Sequence, residues 1–139
     1  MKVRAFRRGD ADVVVALWER CGLTRSWNDP RQDIDRKLAV ADDGFLIGEL
    51  DGTVMATVMV GYDGHRGWVN YLAVDPSARG EGNGRDMMAA AEQWLVSRGC
   101  PKLNLQVRST NAQAVAFYDS LGFVRDDVLS LGKRLMVDD

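Results

Sequence analysis

The chain opens with a short apolar run, Val3–Phe6, that reads as a first strand. Apolar positions then recur at Val14, Leu17, Trp18 and Cys21, the spacing of one helical face, with Asp10 placed as its N-cap. A second helix begins at Asp29-Pro30, a capping residue followed by proline at the first helical position, and carries Ile34, Leu38 and Ala41 on one face. From Phe45 the period changes to two. Phe45–Leu50 and Thr53–Tyr62 read as strands joined by the tight turn Asp51-Gly52, with Val54, Ala56, Val58 and Val60 pointing one way. A turn over Asp63–Gly67 leads into the strand Trp68–Val74. Helical spacing returns over Arg85–Arg98, where Met87, Ala91 and Trp94 share a face and Met88 and Leu95 flank it. Gly99 ends that helix and Pro101 prevents its continuation. Leu103–Val107 is predicted as a strand, Asn111–Leu121 as a helix stopped by Gly122, and Phe123 and Val128–Met136 as the last strands.

This order predicts a mixed α/β fold, a single domain over residues 1–139 whose sheet is largely antiparallel at first. The length suits one sizeable core. A net charge of −2, with Lys and Arg scattered among Asp and Glu, excludes the concentrated basic stripe of a nucleic-acid surface. No apolar run approaches a membrane span, and the N-terminal residues lack a signal-peptide core, so a cytoplasmic protein with no membrane partner is expected. Cys21 and Cys100 lie far apart and read as reduced thiols. With His65 as the one histidine, no metal site is expected.

The most informative stretch is Leu72–Gly84, LAVDPSARGEGNG. An apolar strand runs into Asp75-Pro76, then an arginine and three alternating glycines, then a helix. Bare amides and the positive end of a helix dipole suit such a loop to a phosphate. A dinucleotide fingerprint fails, because Gly80 and Gly82 are followed by Arg85 where a third glycine is needed. A P-loop fails as well, since Gly84 is followed by Arg85-Asp86. Taken alone, the cluster is equally a turn that merely connects strand to helix.

Two spaced motifs carry a resemblance. Arg79-x-x-Gly82-x-Gly84 resembles the acyl-CoA signature of the GNAT superfamily of N-acyltransferases. Asn111-x-x-Ala114-x-x-Phe117-Tyr118-x-x-x-Gly122-Phe123 resembles its second signature at a family-like separation. Leu17–Cys21, Trp27–Pro30, Gly61–Gly67 and Asp127–Leu135 look like the YpeA-type acetyltransferase subgroup. The resemblance implies a central splayed, largely antiparallel sheet flanked by helices, and an enzyme that moves an acetyl group from acetyl-CoA to an amine without a metal. It implies that backbone groups of Leu72, Ala73 and Val74 pair with the pantetheine arm, and that one of their amides polarises the thioester carbonyl. Amides of Arg79, Gly80, Glu81, Gly82, Asn83 and Gly84 would cradle the pyrophosphate, with charge-assisted contacts from Arg79 and Arg85. Asn83 departs from the usual aliphatic residue and reads equally as a helix cap, while Glu81 and Asp86 bring negative charge near a polyanion.

Tyr118 aligns with the family's general acid, although Phe117-Tyr118 also reads as an ordinary aromatic pair. Asn111 aligns with a CoA contact and equally with a helix cap. The acceptor pocket is expected around the first two helices, with Trp18, Trp27, Asn28 and Tyr62 as lining candidates. No base is assigned. Gln106 stands where some relatives place a glutamate, and Glu49, Asp63, His65, Tyr71 or a water chain remain. That absence favours an acceptor amine of low pKa or water-mediated deprotonation, and the acceptor is expected to be a small molecule or a peptide N-terminus. The resemblance is compatible with a homodimer. A non-catalytic acyl-CoA-binding domain and a nucleotide-binding module are the rival readings.

Overall fold

The computed structural model describes residues 1–138. Asp51 and Gly52 both take positive φ, 51° and 79°, the hairpin geometry that matches the twist of the strands they join. Those strands sit in one five-stranded sheet, ordered as in the sequence: β1 (Lys2–Ala5), β2 (Phe45–Leu50), β3 (Thr53–Tyr62), β4 (Gly67–Val74) and β5 (Leu103–Asn104). The first four pair antiparallel and β5 joins β4 in parallel. The mixed α/β arrangement with a largely antiparallel sheet is the expected one.

Helices α1 (Ala11–Arg20) and α2 (Pro30–Val40) cover one face. There Leu17, Trp18 and Ile34 bury against Phe45, Ile47 and Met59, and the Phe6 and Phe45 rings stack at 4.4 Å. Helix α3 (Asn83–Val96) covers the other face, laying Met87, Met88, Ala91 and Leu95 on Ala56, Val58, Val60 and Val69. Helix α4 (Ala112–Ser120) brings Phe117 and Tyr118 to the edge of that second cluster. Asp29 caps α2 through Arg31 N at 2.9 Å, with Pro30 in the first turn.

Several expectations change. Asp10 precedes α1 but caps nothing in it, because its carboxylate is taken by Arg4 at 2.8 and 2.9 Å and by Arg7 N. Ala41 lies beyond α2 in a left-handed conformation and is exposed. Val54 leaves the face of Ala56, Val58 and Val60 and packs with the α1–α2 cluster. The cause is a register shift between Gly48 and Glu49, where one extra β3 residue reverses side-chain parity. Leu103–Val107 contributes only Leu103 and Asn104 to the ladder. Phe123 and Val128–Met136 form no strand. With β5 two residues long there is little edge to pair with, and Val128, Leu129, Leu131 and Leu135 stay exposed, so no burial pins a register.

The exit of β4 is tied down by Asp75. Its carboxylate accepts from Ser77 N at 2.9 Å and Ser77 Oγ at 2.7 Å, and from Arg20 of α1 at 2.7 and 3.0 Å. The Ser77 amide and hydroxyl, then Arg20, hold its pKa down at about 2 against an ordinary 3.8. A depressed carboxyl stabilises the fold above its unfolded pKa and loses that contribution as pH falls through the folded one. Between pH 4 and pH 2 the melting temperature of the wild type is expected to fall more steeply than that of Asp75→Asn, measured by circular dichroism. Parallel curves would show that Asp75 is not held down in this way.

Candidate active site

Strands β4 and β5 pair only at Gly67–Leu103 and Trp68–Asn104, with Gly67 N donating to Lys102 O at 2.8 Å. From Val69 onward β4 continues to Val74 without a partner strand on that side among the described residues, so the sheet forks. The Asn104 Oδ1, buried at the fork, has no hydrogen-bond partner among the described residues.

Beyond the fork β4 carries a bulge. Thr57 pairs with Ala73, whereas Met59 pairs with Asn70, so Tyr71 and Leu72 together oppose Val58. Tyr71 adopts φ 51°, which a bulky side chain takes only when its surroundings enforce it. The enforcement is visible. Thr57, fully buried, donates from Oγ1 to Tyr71 O at 2.8 Å and accepts from Trp18 Nε1 at 2.9 Å. The Trp18 ring stacks on Tyr71 at 3.9 Å. Tyr71 Oη donates to Asp33 Oδ2 at 2.6 Å and accepts from Asn28 Nδ2 at 3.0 Å, while Asn28 also reaches Asp33. Above the bulge, Asp75 N donates to Met55 O at 2.8 Å. Backbone direction alternates along a strand, so Ala73 faces β3 while the amides of Leu72 and Val74 face the open edge.

The strand then enters the glycine loop. Gly80 and Gly82 take positive φ, 79° and 84°, and α3 starts at Asn83 with Gly82 as its N-cap. The first intrahelical bond is Asp86 N to Gly82 O at 3.0 Å, so the amides of Asn83, Gly84 and Arg85 have no carbonyl behind them. Free backbone amides at a helix start can hold an anion. Asn83 is not the cap. Its side chain is buried and donates from Nδ2 to Ala78 O at 2.8 Å, closing the loop on itself. An aliphatic side chain there would leave that carbonyl without this donor. A Cβ on Gly84 would stand 3.2 Å from the Phe117 ring, so the glycine lets α4 close on the start of α3. Glu81, Arg85 and Asp86 are exposed, and Arg79 turns back to donate from Nε to Val74 O at 3.1 Å.

Tyr118 makes edge-on contacts with Phe117 at 5.0 Å and Phe123 at 5.5 Å, and burial raises its pKa. Its hydroxyl has no hydrogen-bond partner among the described residues. Asn111 caps α4 through Ala114 N at 3.1 Å and is exposed. The base candidates scatter. Glu49 is bound to Arg4 on β1, away from the fork. Asp63 accepts the amides of His65 and Arg66 within its own turn, where His65 is exposed. Gln106 reaches Ser130. Tyr71 stands at the bulge, but burial, then its bond to Asp33, raises its pKa, so it stays a neutral phenol. Of the acceptor candidates, Trp18 is core, Trp27 is exposed and Asn28 belongs to the Tyr71–Asp33 cluster. Thr57 and Asp33 were not anticipated. A hydroxyl in an otherwise apolar strand run was the available signal for Thr57, and nothing marked Asp33.

No helix among the described residues is long and apolar enough to cross a membrane. No group of three or more His, Cys, Asp or Glu among them is placed to hold a metal.

Residues 12–123 match the acetyltransferase (GNAT) family. An acetyltransferase of Sodalis glossinidius is 48% identical over 139 residues, covering 99% of this chain and 98% of the relative. An acetyltransferase of Yersinia pestis (strain Pestoides F) is 46% identical over 138 residues with the same coverage. Among solved structures, the PaiA N-acetyltransferase of Thermoplasma acidophilum in complex with coenzyme A shares the fold, with a TM-score of 0.75 at 17% identity over 91% of each chain. Fold and relatives together define an acyltransferase. The chain belongs to the acetyltransferase (GNAT) family.

Proposed function

We propose that this protein transfers an acetyl group from acetyl-CoA to a primary amine by direct attack in a ternary complex. The observation that carries the reading is the unpaired β4 edge beyond Trp68, which leads into a glycine loop with free backbone amides at the start of α3. The residues fit the donor molecule. The amides and charge of Arg79–Arg85 suit its pyrophosphate. The open β4 edge suits the amide-bearing pantetheine arm, and the orphaned Asn104 Oδ1 offers an acceptor beside it. Family membership and a relative of the same fold in complex with coenzyme A support this choice.

In the reaction the neutral amine attacks the thioester carbon, the carbon–sulfur bond breaks, and the amine loses its proton. The Leu72 amide stabilises charge on the carbonyl oxygen. Tyr118 gives its proton to the departing thiolate. Neither cysteine is used: the Cys21 thiol donates to Val74 O, and Cys100 lies beyond α3. Among the described residues no carboxylate with a free side stands at the fork to take the amine proton. An α-amine near pKa 8 is about one-tenth neutral at pH 7, whereas a lysine amine is about one part in a thousand neutral. The site therefore suits an α-amine whose proton leaves to solvent.

The test is release of free thiol from acetyl-CoA across polyamines, amino acids, aminoglycosides and peptides with free N-termini. Turnover is expected, with α-amines preferred over lysine side chains. Binding of acetyl-CoA without turnover of any amine would instead favour a non-catalytic acyl-CoA-binding domain.

A further inference from the structure

On the α1–α2 face of the sheet lies an open hollow of about 290 Å³. It runs between α2, which supplies Lys37 and Val40, and the ends of β3 and β4, which supply Met59, Tyr62, Trp68 and Asn70. Its place matters more than its size. Trp68 is the last β4 residue paired to β5, so the hollow borders the fork directly. Val69 buries under α3, so by strand alternation Trp68 and Asn70 present their side chains to the opposite face, the one that the hollow occupies.

The lining has a definite chemistry. Met59, Val40 and Trp68 give an apolar surface, and Trp68 is 37% exposed, high for the largest apolar side chain. Asn70 is exposed and offers a donor and an acceptor. The charges do not cancel. Lys37 Nζ donates to Asp42 at 2.9 Å and to Val60 O at 2.6 Å, so that cation and that carboxylate satisfy each other. Asp63 remains at the far end. Its Oδ1 takes the amides of His65 and Arg66 at 2.8 and 2.7 Å, and among the described residues no cation forms a salt bridge with it. The Arg66 and His65 amides, with help from the Trp68 indole, hold its pKa below the ordinary value, so it stays ionised. From the Leu72 amide to this end of β4 is about 15 Å at ~3.3 Å per residue.

An acceptor that reacts at the fork and fills this hollow is extended, apolar along its length and positively charged at its far end. Resting on the acetyl-transfer reading above, we infer that the acceptor is the α-amine of an extended peptide whose first residues are apolar and whose third or fourth residue is basic. The α-amine reacts beside Leu72, the apolar side chains lie over Met59 and Trp68, and the basic side chain reaches Asp63. The peptide backbone finds partners in Asn70. A polyhydroxylated, polycationic acceptor matches neither the apolar floor nor a single unpaired carboxylate.

The test uses the full-length protein, saturating acetyl-CoA and three peptide amides: Ala-Leu-Leu-Lys, Ala-Leu-Leu-Gln and Ala-Leu-Leu-Glu, with straight-chain diamines and an aminoglycoside alongside. The lysine peptide is expected to show a KM about two- to fivefold below the glutamine peptide, the range of an exposed ion pair, with the glutamate peptide poorest. Asp63→Asn keeps the turn's hydrogen-bond acceptor and should bring the three peptides together. Trp68→Ala should raise KM for all three about tenfold and leave the KM of acetyl-CoA unchanged. An unaltered charge preference in Asp63→Asn, with an unchanged melting temperature, overturns the inference. Turnover of diamines or aminoglycosides with inert peptides overturns it too and leaves the acetyl-transfer reading standing. No turnover of any amine removes both.

Discussion

Replacing Tyr118 with Phe is expected to lower kcat about 10²- to 10³-fold while acetyl-CoA binds as before, the loss typical of a positioned general acid. The substitution is unusually clean in this structure. The aromatic contacts to Phe117 and Phe123 need only the ring, and the hydroxyl bonds to no group among the described residues. Its removal therefore leaves no partner stranded and should hardly change stability. The energetics permit the role. Passing a proton from a phenol near pKa 10 to a thiol near 8.5 costs about 2 kcal/mol. Burial raises the Tyr118 pKa, which keeps the proton in place until the thiolate appears. The same sparsely hydrated setting penalises a bare thiolate, so both sides of the transfer move together. Steady-state kinetics with direct calorimetry of CoA binding separate the two quantities. An unchanged kcat would remove Tyr118 from the reaction, and lost binding would make it a structural residue.

A comparable effect is expected from a residue that touches no substrate. Thr57→Val keeps the shape of a fully buried side chain and deletes the hydroxyl that joins Trp18 Nε1 to Tyr71 O. Each of the two groups left without a partner costs about 1–3 kcal/mol, so a loss of about 2–6 kcal/mol is expected. For a chain of this size that lowers Tm by about 3–5 °C per kcal/mol. The functional consequence comes through the bulge. Tyr71 holds its positive φ because its carbonyl is captured and its ring is clamped on Trp18. Once the carbonyl is released, the Leu72 amide no longer has a fixed aim. Losing one such donor costs about 10²-fold or more in kcat. Thr57→Ser restores the hydroxyl and should recover most of kcat even if some stability is lost with the methyl group. A Val variant that melts lower but turns over normally would confine Thr57 to packing.

Much of the fold was legible because its signals are local. Asp51-Gly52 turns where the two-residue hairpin demands positive φ, Asp29-Pro30 starts α2, and Met87 and Ala91 bury as their spacing predicts, although Met88 and Leu95 bury with them while Trp94 is only partly covered. Each depends on a few neighbouring residues. The glycine loop was legible for the same reason. The errors share a different cause. Val54 changed faces at a bulge, Val128–Met136 found no edge to pair with, and Asn83 reached back to Ala78 instead of capping α3. None of those outcomes is encoded in the residue's own stretch of chain.

The sequence by itself determined the order of the elements, most of the caps and turns between them, and a glycine loop that opens α3. Only the tertiary structure decided where β4 parts from β5 and where it bulges. Those two features turn the Leu72 and Val74 amides into the fork, and both depend on partners far away in the chain. Trp68 pairs with Asn104 and then stops, and Thr57 and Trp18 take hold of Tyr71 from β3 and α1. A strand's alternation shows which side chains share a face. It does not show at which residue a distant partner ends the ladder or inserts a step in it.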